Sequence, residues 1–125
     1  MQPKDESSSA HESRAIIDHR IGIIESTIRG AQKIPEETRA ELMAMLTGLK
    51  SELANLSETH HDEAASITRF ADASAHEAAR AEKQPQLTDT ALQGLRLSIE
   101  GLEESHPTVV QIVNRFATAL SNMGL

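Results

Sequence analysis

The chain has 125 residues, enough for one small domain. Apolar residues make up 38% of the sequence, but 17 of them are alanine, and Phe70 and Phe116 are the only aromatic side chains of the Phe, Tyr and Trp class. The sequence has no cysteine, which excludes disulfides, zinc–thiolate sites and thiol catalysis. The scarcity of aromatic residues excludes a base-stacking platform for nucleic acids.

The net charge of −7 argues against binding to nucleic acids and to anionic membrane surfaces, both of which select basic proteins. No stretch approaches the roughly 18 consecutive apolar residues of a membrane-spanning helix. The polar residues 1–9 contain no apolar core of a signal peptide. We therefore expect a cytoplasmic protein with no nucleic-acid or membrane partner.

The N-terminal third predicts a polar tail followed by one helix. Residues 1–10 are polar, and we expect them to be disordered. Residues 11–32 predict the first helix, because isoleucines and an alanine recur with the alternating spacing of four and three that forms a helical seam, at Ile17, Ile21, Ile24, Ile28 and Ala31.

Residues 35–83 predict a second helical region, for which two interpretations stay open. Its first part carries a leucine seam, at Leu42, Leu46, Leu49, Leu53 and Leu56. Because no Gly or Pro follows before Pro85, one long helix over 35–83 is the favoured prediction. The alternative is a break near 57–62, with Thr59 and Asp62 forming a capping box for a separate helix.

Two further helices are predicted over 86–104 and 107–122, each with its own apolar seam. Pro107 suits the first turn of the last helix, because its missing N–H would have no helical partner there. With Pro107 as the first helical residue, His106 falls at the N-cap, and either Ser105 or His106 is expected to cap free N–H groups. Gly124 is expected to end the helix.

The predicted fold class is all-α, with amphipathic helices in antiparallel hairpins that form one helical domain over 11–125. Residues 57–83 carry little large apolar surface, so we expect a second copy of the chain to cover this part, with a dimer as the favoured oligomer. The seam expected at that interface continues the leucine register through His60, Ala64, Ile67, Ala71 and Ala78.

Histidines beside acidic residues raise a metal-binding alternative. Glu58, His60, His61 and Glu63 are the candidate ligands, with Asp62 between them. No nucleophile motif and no phosphate-binding glycine loop occurs in the sequence, so we expect no enzymatic activity and no cofactor.

The C-terminal third resembles a bacterial domain-of-unknown-function family of small helical proteins. Members of that family typically end in Glu-x-Ser-His-Pro and, later, Leu-x-x-Met-Gly with an aliphatic residue; this chain has Glu103–Pro107 and Leu120–Leu125 at these places. Pro35–Arg39 and the leucine helix are similar to an earlier helix of the family. The resemblance covers 35–56 and 87–125, and it implies no activity.

Three functions are compatible with the sequence. The favoured one is a structural or protein-interaction module that self-associates. The alternatives are a metal-binding or redox protein that uses the His60–Glu63 cluster, and a small-ligand sensor whose alanine-rich helices part to form a pocket.

Overall fold

A computed structural model describes the backbone of residues 3–123 and the side chains of residues 14–123. The described residues form five α-helices, which confirms the all-α prediction. In chain order they are α1 (Pro3–Gly30), α2 (Glu36–Leu56), α3 (His61–Ala78), α4 (Pro85–Ser98) and α5 (Pro107–Met123).

The first helix begins eight residues earlier than predicted. Its bounds are Pro3–Gly30, so residues 3–10 are helical rather than a disordered tail, and residues 1–2 lie outside the described part. Pro3 is the first residue of this helix, a position that proline favours.

The favoured prediction of one helix over 35–83 is wrong, because the chain breaks between α2 and α3. The Ser57 hydroxyl donates to the Ala54 carbonyl at 2.8 Å, and His60 leaves the helical conformation with φ −133° and ψ 60°. Short polar side chains that bond to nearby backbone groups compete with helix continuation. The break is therefore encoded without Gly or Pro. The N-cap residue of α3 is His60, and the structure shows no side-chain capping bond from it.

Helix α4 is shorter than the predicted 86–104, since it ends at Ser98. Gly101 lies in the turn that follows and has φ +91°, a conformation that L side chains rarely adopt. The Glu103 carboxylate accepts a hydrogen bond from the Gly101 N–H at 2.9 Å. Gly101 thus forms a turn, and only Gly94 is an interior glycine of this helix.

Helix α3 lies at the centre of the bundle and contacts each of the other four helices. Helices α1 and α4 flank it and form a three-helix layer with it, while α2 and α5 pack against each other as a second layer. The inward residues of α3 are mostly small, which allows neighbouring helices to approach at the density of a protein interior. The alanine content of α3 therefore follows from its central position.

This packing corrects the expected role of the α3 seam. Ala64, Ile67, Ala71 and Ala78 are buried within the single chain. The helices that cover α3 are those of the same chain, so a second copy is not needed to bury this seam.

Arg39 stabilises the turn between α1 and α2. Its guanidinium donates to three backbone carbonyls, those of Ile28 at 3.3 Å, Ala31 at 2.6 Å and Ile34 at 3.1 Å. It also forms an ion pair with Glu36. The last carbonyls of a helix have no partner within the helix, and Arg39 supplies one.

The sequence of α2–α3 recurs in α4–α5, with each counterpart 46 positions later. Identical counterparts include Leu46/Leu92, Gly48/Gly94, Leu49/Leu95, Leu56/Leu102, His60/His106, Arg69/Arg115, Phe70/Phe116 and Ala71/Ala117. We infer that the bundle contains two copies of one helical hairpin, and that α1 is an additional helix.

The backbone repeats the same hydrogen bonds in both hairpins. The His60 N–H donates to the Leu56 carbonyl at 2.7 Å, and the His106 N–H donates to the Leu102 carbonyl at 2.8 Å. The contacts between helices repeat as well, because α3 packs on α4 and its counterpart α5 packs on α2. This is the pattern that a twofold axis along the bundle produces.

Candidate functional site

The two histidines that precede α3 and α5 meet at one end of the bundle. The rings of His60 and His106 lie edge to face with their centroids 5.2 Å apart. Nδ1 of His60 is 2.8 Å from the Thr59 hydroxyl, and Nδ1 of His106 is 3.0 Å from the Ser105 hydroxyl. Each histidine thus contacts its own counterpart, which places the twofold axis beside this pair.

The predicted metal ligands do not assemble into a site. His60 faces His106, Glu58 forms an ion pair with Arg14 at 3.5 Å, and His61 and Glu63 are exposed on the first turn of α3. Across residues 14–123, no three His, Asp or Glu side chains come together in a group that would hold a metal ion. The predicted ligands therefore form no metal site in the described part of the chain.

The predicted capping residues of α5 are found in part where expected. Pro107 is the first residue of α5, and the His106 carbonyl accepts the hydrogen bond of the Val110 N–H at 3.3 Å, as at an N-cap. The hydrogen bond described for the Ser105 and His106 side chains joins them to each other. Gly124 lies outside the described residues.

The three-helix layer carries the exposed large apolar side chains of the described region. We call these residues the outer face: Ile16, Ile23, Phe70, Leu87 and Leu97. All five come from α1, α3 and α4, and none comes from α2 or α5. Isolated exposed apolar residues are normal, but their restriction to one layer is typical of an interaction surface.

The outer face has members on all three helices of its layer. Ile16 and Ile23 are seven residues apart and lie on one side of α1, next to Arg20, where they border a shallow depression of about 370 Å³. Arg20 reaches α3 and pairs with Asp72 at 3.2 Å. This pair places the isoleucine stripe on the side of α1 that borders α3.

On its other side, α3 joins α4 through Phe70. A Cβ atom at Gly94 would overlap the Phe70 ring, so the ring lies directly against the α4 backbone. Gly94 is therefore required by this close approach. Phe70 remains 39% exposed and so adds to the outer face.

A larger depression than the one beside Ile16 and Ile23 lies between α2 and α5, in the other layer. This α2–α5 groove has a volume of about 710 Å³. Its lining includes the cationic side chains of Lys33 and Arg115, the hydroxyl groups of Thr38 and Thr118, and the apolar side chains of Met45 and Ala119.

Sequence reasoning predicted neither of these surfaces, although one of them left a signal in the sequence. Ile16 and Ile23 widen the apolar stripe of α1 beyond its buried seam, and that excess was a usable signal for exposure. The groove gave no comparable signal, because its residues come from segments about 75 positions apart and have mixed character. The repeat at 46 positions was present in the sequence and would have indicated that α2 and α5 pack against each other.

Comparison with known families identifies the family of this chain. Residues 42–125 match DUF4404, a domain of unknown function. The chain belongs to the DUF4404 family. This confirms the family resemblance, although residues 35–41 lie outside the match. No curated protein and no solved structure is significantly similar to the chain.

The DUF4404 match corrects one detail of the resemblance. Residues 57–86, which resembled no part of the family, lie inside the match. The match covers most of the first hairpin and all of the second, while α1 lies outside it. None of the helices in the described part is long and apolar enough to cross a membrane.

Proposed function

We propose that this DUF4404 protein is a helical interaction module that forms a homodimer through the outer face. The observation that supports the proposal is the restriction of the exposed large apolar side chains to α1, α3 and α4. The sequence predicted the interface at the α3 seam, which is buried within the chain. The proposal places the interface on the exposed side of the same helical layer instead.

A second copy is a suitable partner for this face. A twofold homodimer brings the same patch of both chains together, so the patch must complement itself. The outer face itself is apolar, and Arg20 and Asp72, which lie beside it on α1 and α3, form an ion pair with each other. A face of this composition meets no electrostatic barrier against its own copy.

Sedimentation equilibrium over a wide range of protein concentration tests the proposal. We expect the wild-type chain to approach the mass of a dimer, and the double variant Ile16→Lys/Ile23→Lys to remain a monomer, because the lysines bring four like charges into the interface. The two isoleucines are exposed, so the variant is expected to keep the wild-type helical circular dichroism signal.

The matched control is Gln111→Lys, a substitution at an exposed position of α5 outside the outer face. It is expected to leave the dimerisation constant within about twofold of wild type. A wild-type chain with the mass of a monomer at every concentration would contradict the proposal. So would an equal loss of dimer in the control and in the double variant.

A further inference from the structure

The α2–α5 contact differs from the corresponding contact in the other half of the bundle. The twofold relation pairs the α2–α5 contact with the α4–α3 contact. In the α4–α3 contact, the Phe70 ring lies against Gly94. In the α2–α5 contact, a Cβ on Gly48 would meet only the end of Ile112, at the ordinary distance of 3.5 Å.

The two phenylalanine counterparts have different surroundings. Phe116 is completely buried in the core, whereas Phe70 lies at the surface against α4. The Phe116 ring therefore does not lie against Gly48 as the Phe70 ring lies against Gly94, and a groove of about 710 Å³ lies between α2 and α5. This volume lies within the range of roughly 300–1,000 Å³ that is typical of small-molecule sites.

The charges beside the groove are mainly positive, although the chain as a whole is acidic. Lys33 and Arg115 line the groove, and Glu41 is the one acidic residue in its lining. Within residues 14–123, the ion pairs use Arg14, Arg20, Arg39 and Arg80, so the carboxylates of these pairs do not neutralise Lys33 or Arg115.

A third cation, Lys83, lies at the same end of the bundle. Its ammonium group donates to the carbonyl of Met123, a residue of the groove lining, at 2.6 Å. Burial and, second, the positive charge of Lys33 lower the pKa of Lys83. Lys33 itself donates to the carbonyls of Arg80 and Ala81, which fixes its position.

We propose that the α2–α5 groove binds a small amphiphilic anion. The acidic group of the ligand interacts with Lys33 and Arg115, and its apolar body packs on Met45 and Ala119. The mixed lining fits this class of ligand better than a purely apolar one, because an apolar ligand would cover the Arg115 guanidinium and the threonine hydroxyls without offering them a hydrogen-bond partner. The groove lies in the layer opposite the outer face, so ligand binding is independent of dimerisation.

The probe for the test is 8-anilinonaphthalene-1-sulfonate, an aromatic sulfonate whose fluorescence rises in apolar surroundings. The chain has no Trp or Tyr, so the probe is observed without protein background. We expect saturable binding to one site, with a dissociation constant that rises about tenfold in Arg115→Gln and in Lys33→Gln. Added salt is expected to weaken binding to the wild-type chain, because the attraction is between charges.

Arg69→Gln is the matched control, because Arg69 is the counterpart of Arg115 in the other hairpin and is exposed. It is expected to leave the dissociation constant within about twofold of wild type. The proposal is overturned if the probe does not bind to one saturable site, or if Arg69→Gln and Arg115→Gln weaken binding equally. Unchanged probe binding in Ile16→Lys/Ile23→Lys is the expected result, and it separates this test from the test of dimerisation.

Discussion

Phe116→Ala is expected to lower the free energy of unfolding by about 3–5 kcal/mol, the usual cost of removing a buried aromatic ring. Phe116 is completely buried, and it belongs to the core in which both layers meet. Because domains of this kind are stable by only about 5–15 kcal/mol, this loss is a large share of the total. Urea unfolding followed by far-ultraviolet circular dichroism measures it, since the helices dominate that signal.

The counterpart Phe70 provides the matched comparison. Phe70→Ala is expected to cost only about 1 kcal/mol, because the ring is 39% exposed and loses less contact with other protein atoms. Phe116→Leu keeps most of the buried volume and remains measurable if Phe116→Ala does not fold. Equal losses for Phe70→Ala and Phe116→Ala at the same low protein concentration would show that the two rings have equivalent surroundings, contrary to the structure.

Arg39→Ala is expected to lower the free energy of unfolding by about 2–4 kcal/mol. The substitution leaves the carbonyls of Ile28, Ala31 and Ile34 without the guanidinium donors that they have in the native turn. Hydrogen bonds to a charged group contribute about 1.5–3 kcal/mol each, but their losses are not additive within one network. The same urea titration measures the effect.

Two variants separate the geometry of Arg39 from its charge. Arg39→Lys keeps the charge but lacks the planar fork that reaches several carbonyls, so it is expected to recover at most about half of the loss. Arg29→Ala removes an exposed arginine from the last turn of α1 and is expected to change stability by less than about 0.5 kcal/mol. Full recovery of the stability in Arg39→Lys, or an equal loss of stability in Arg29→Ala, would contradict this role of the Arg39 guanidinium.

The fold class could be predicted because the apolar seams are long and regular. The four seam isoleucines of α1 and the five leucines of α2 are all buried, as the alternating spacing indicated. The break before α3 was harder to predict, because it depends on Ser57 and His60 and not on Gly or Pro. The central position of α3 was not predicted either, because its small residues were interpreted as a shortage of apolar surface.

The candidate surfaces depend on how helices that are distant in sequence are paired. Spacing within one helix identifies its buried side, but it does not show which neighbour covers that side. His60 was assigned to an interface with another chain, whereas its partner is His106 of the same chain. His60 and His106 are counterparts in the repeat, but many surface positions differ between the two copies. The apolar seams alone therefore did not reveal the repeat.

The twofold relation of the two hairpins is tested most directly by nuclear Overhauser contacts between the ring protons of His60 and His106. The chain has 6 histidines and 2 phenylalanines, so its aromatic spectrum is simple, and His106→Gln assigns the signals of one partner. With the ring centroids 5.2 Å apart, direct cross-peaks between the two histidines are expected in the folded chain. Contacts of each ring with its preceding residue but none between the two rings would contradict the paired arrangement of the hairpins.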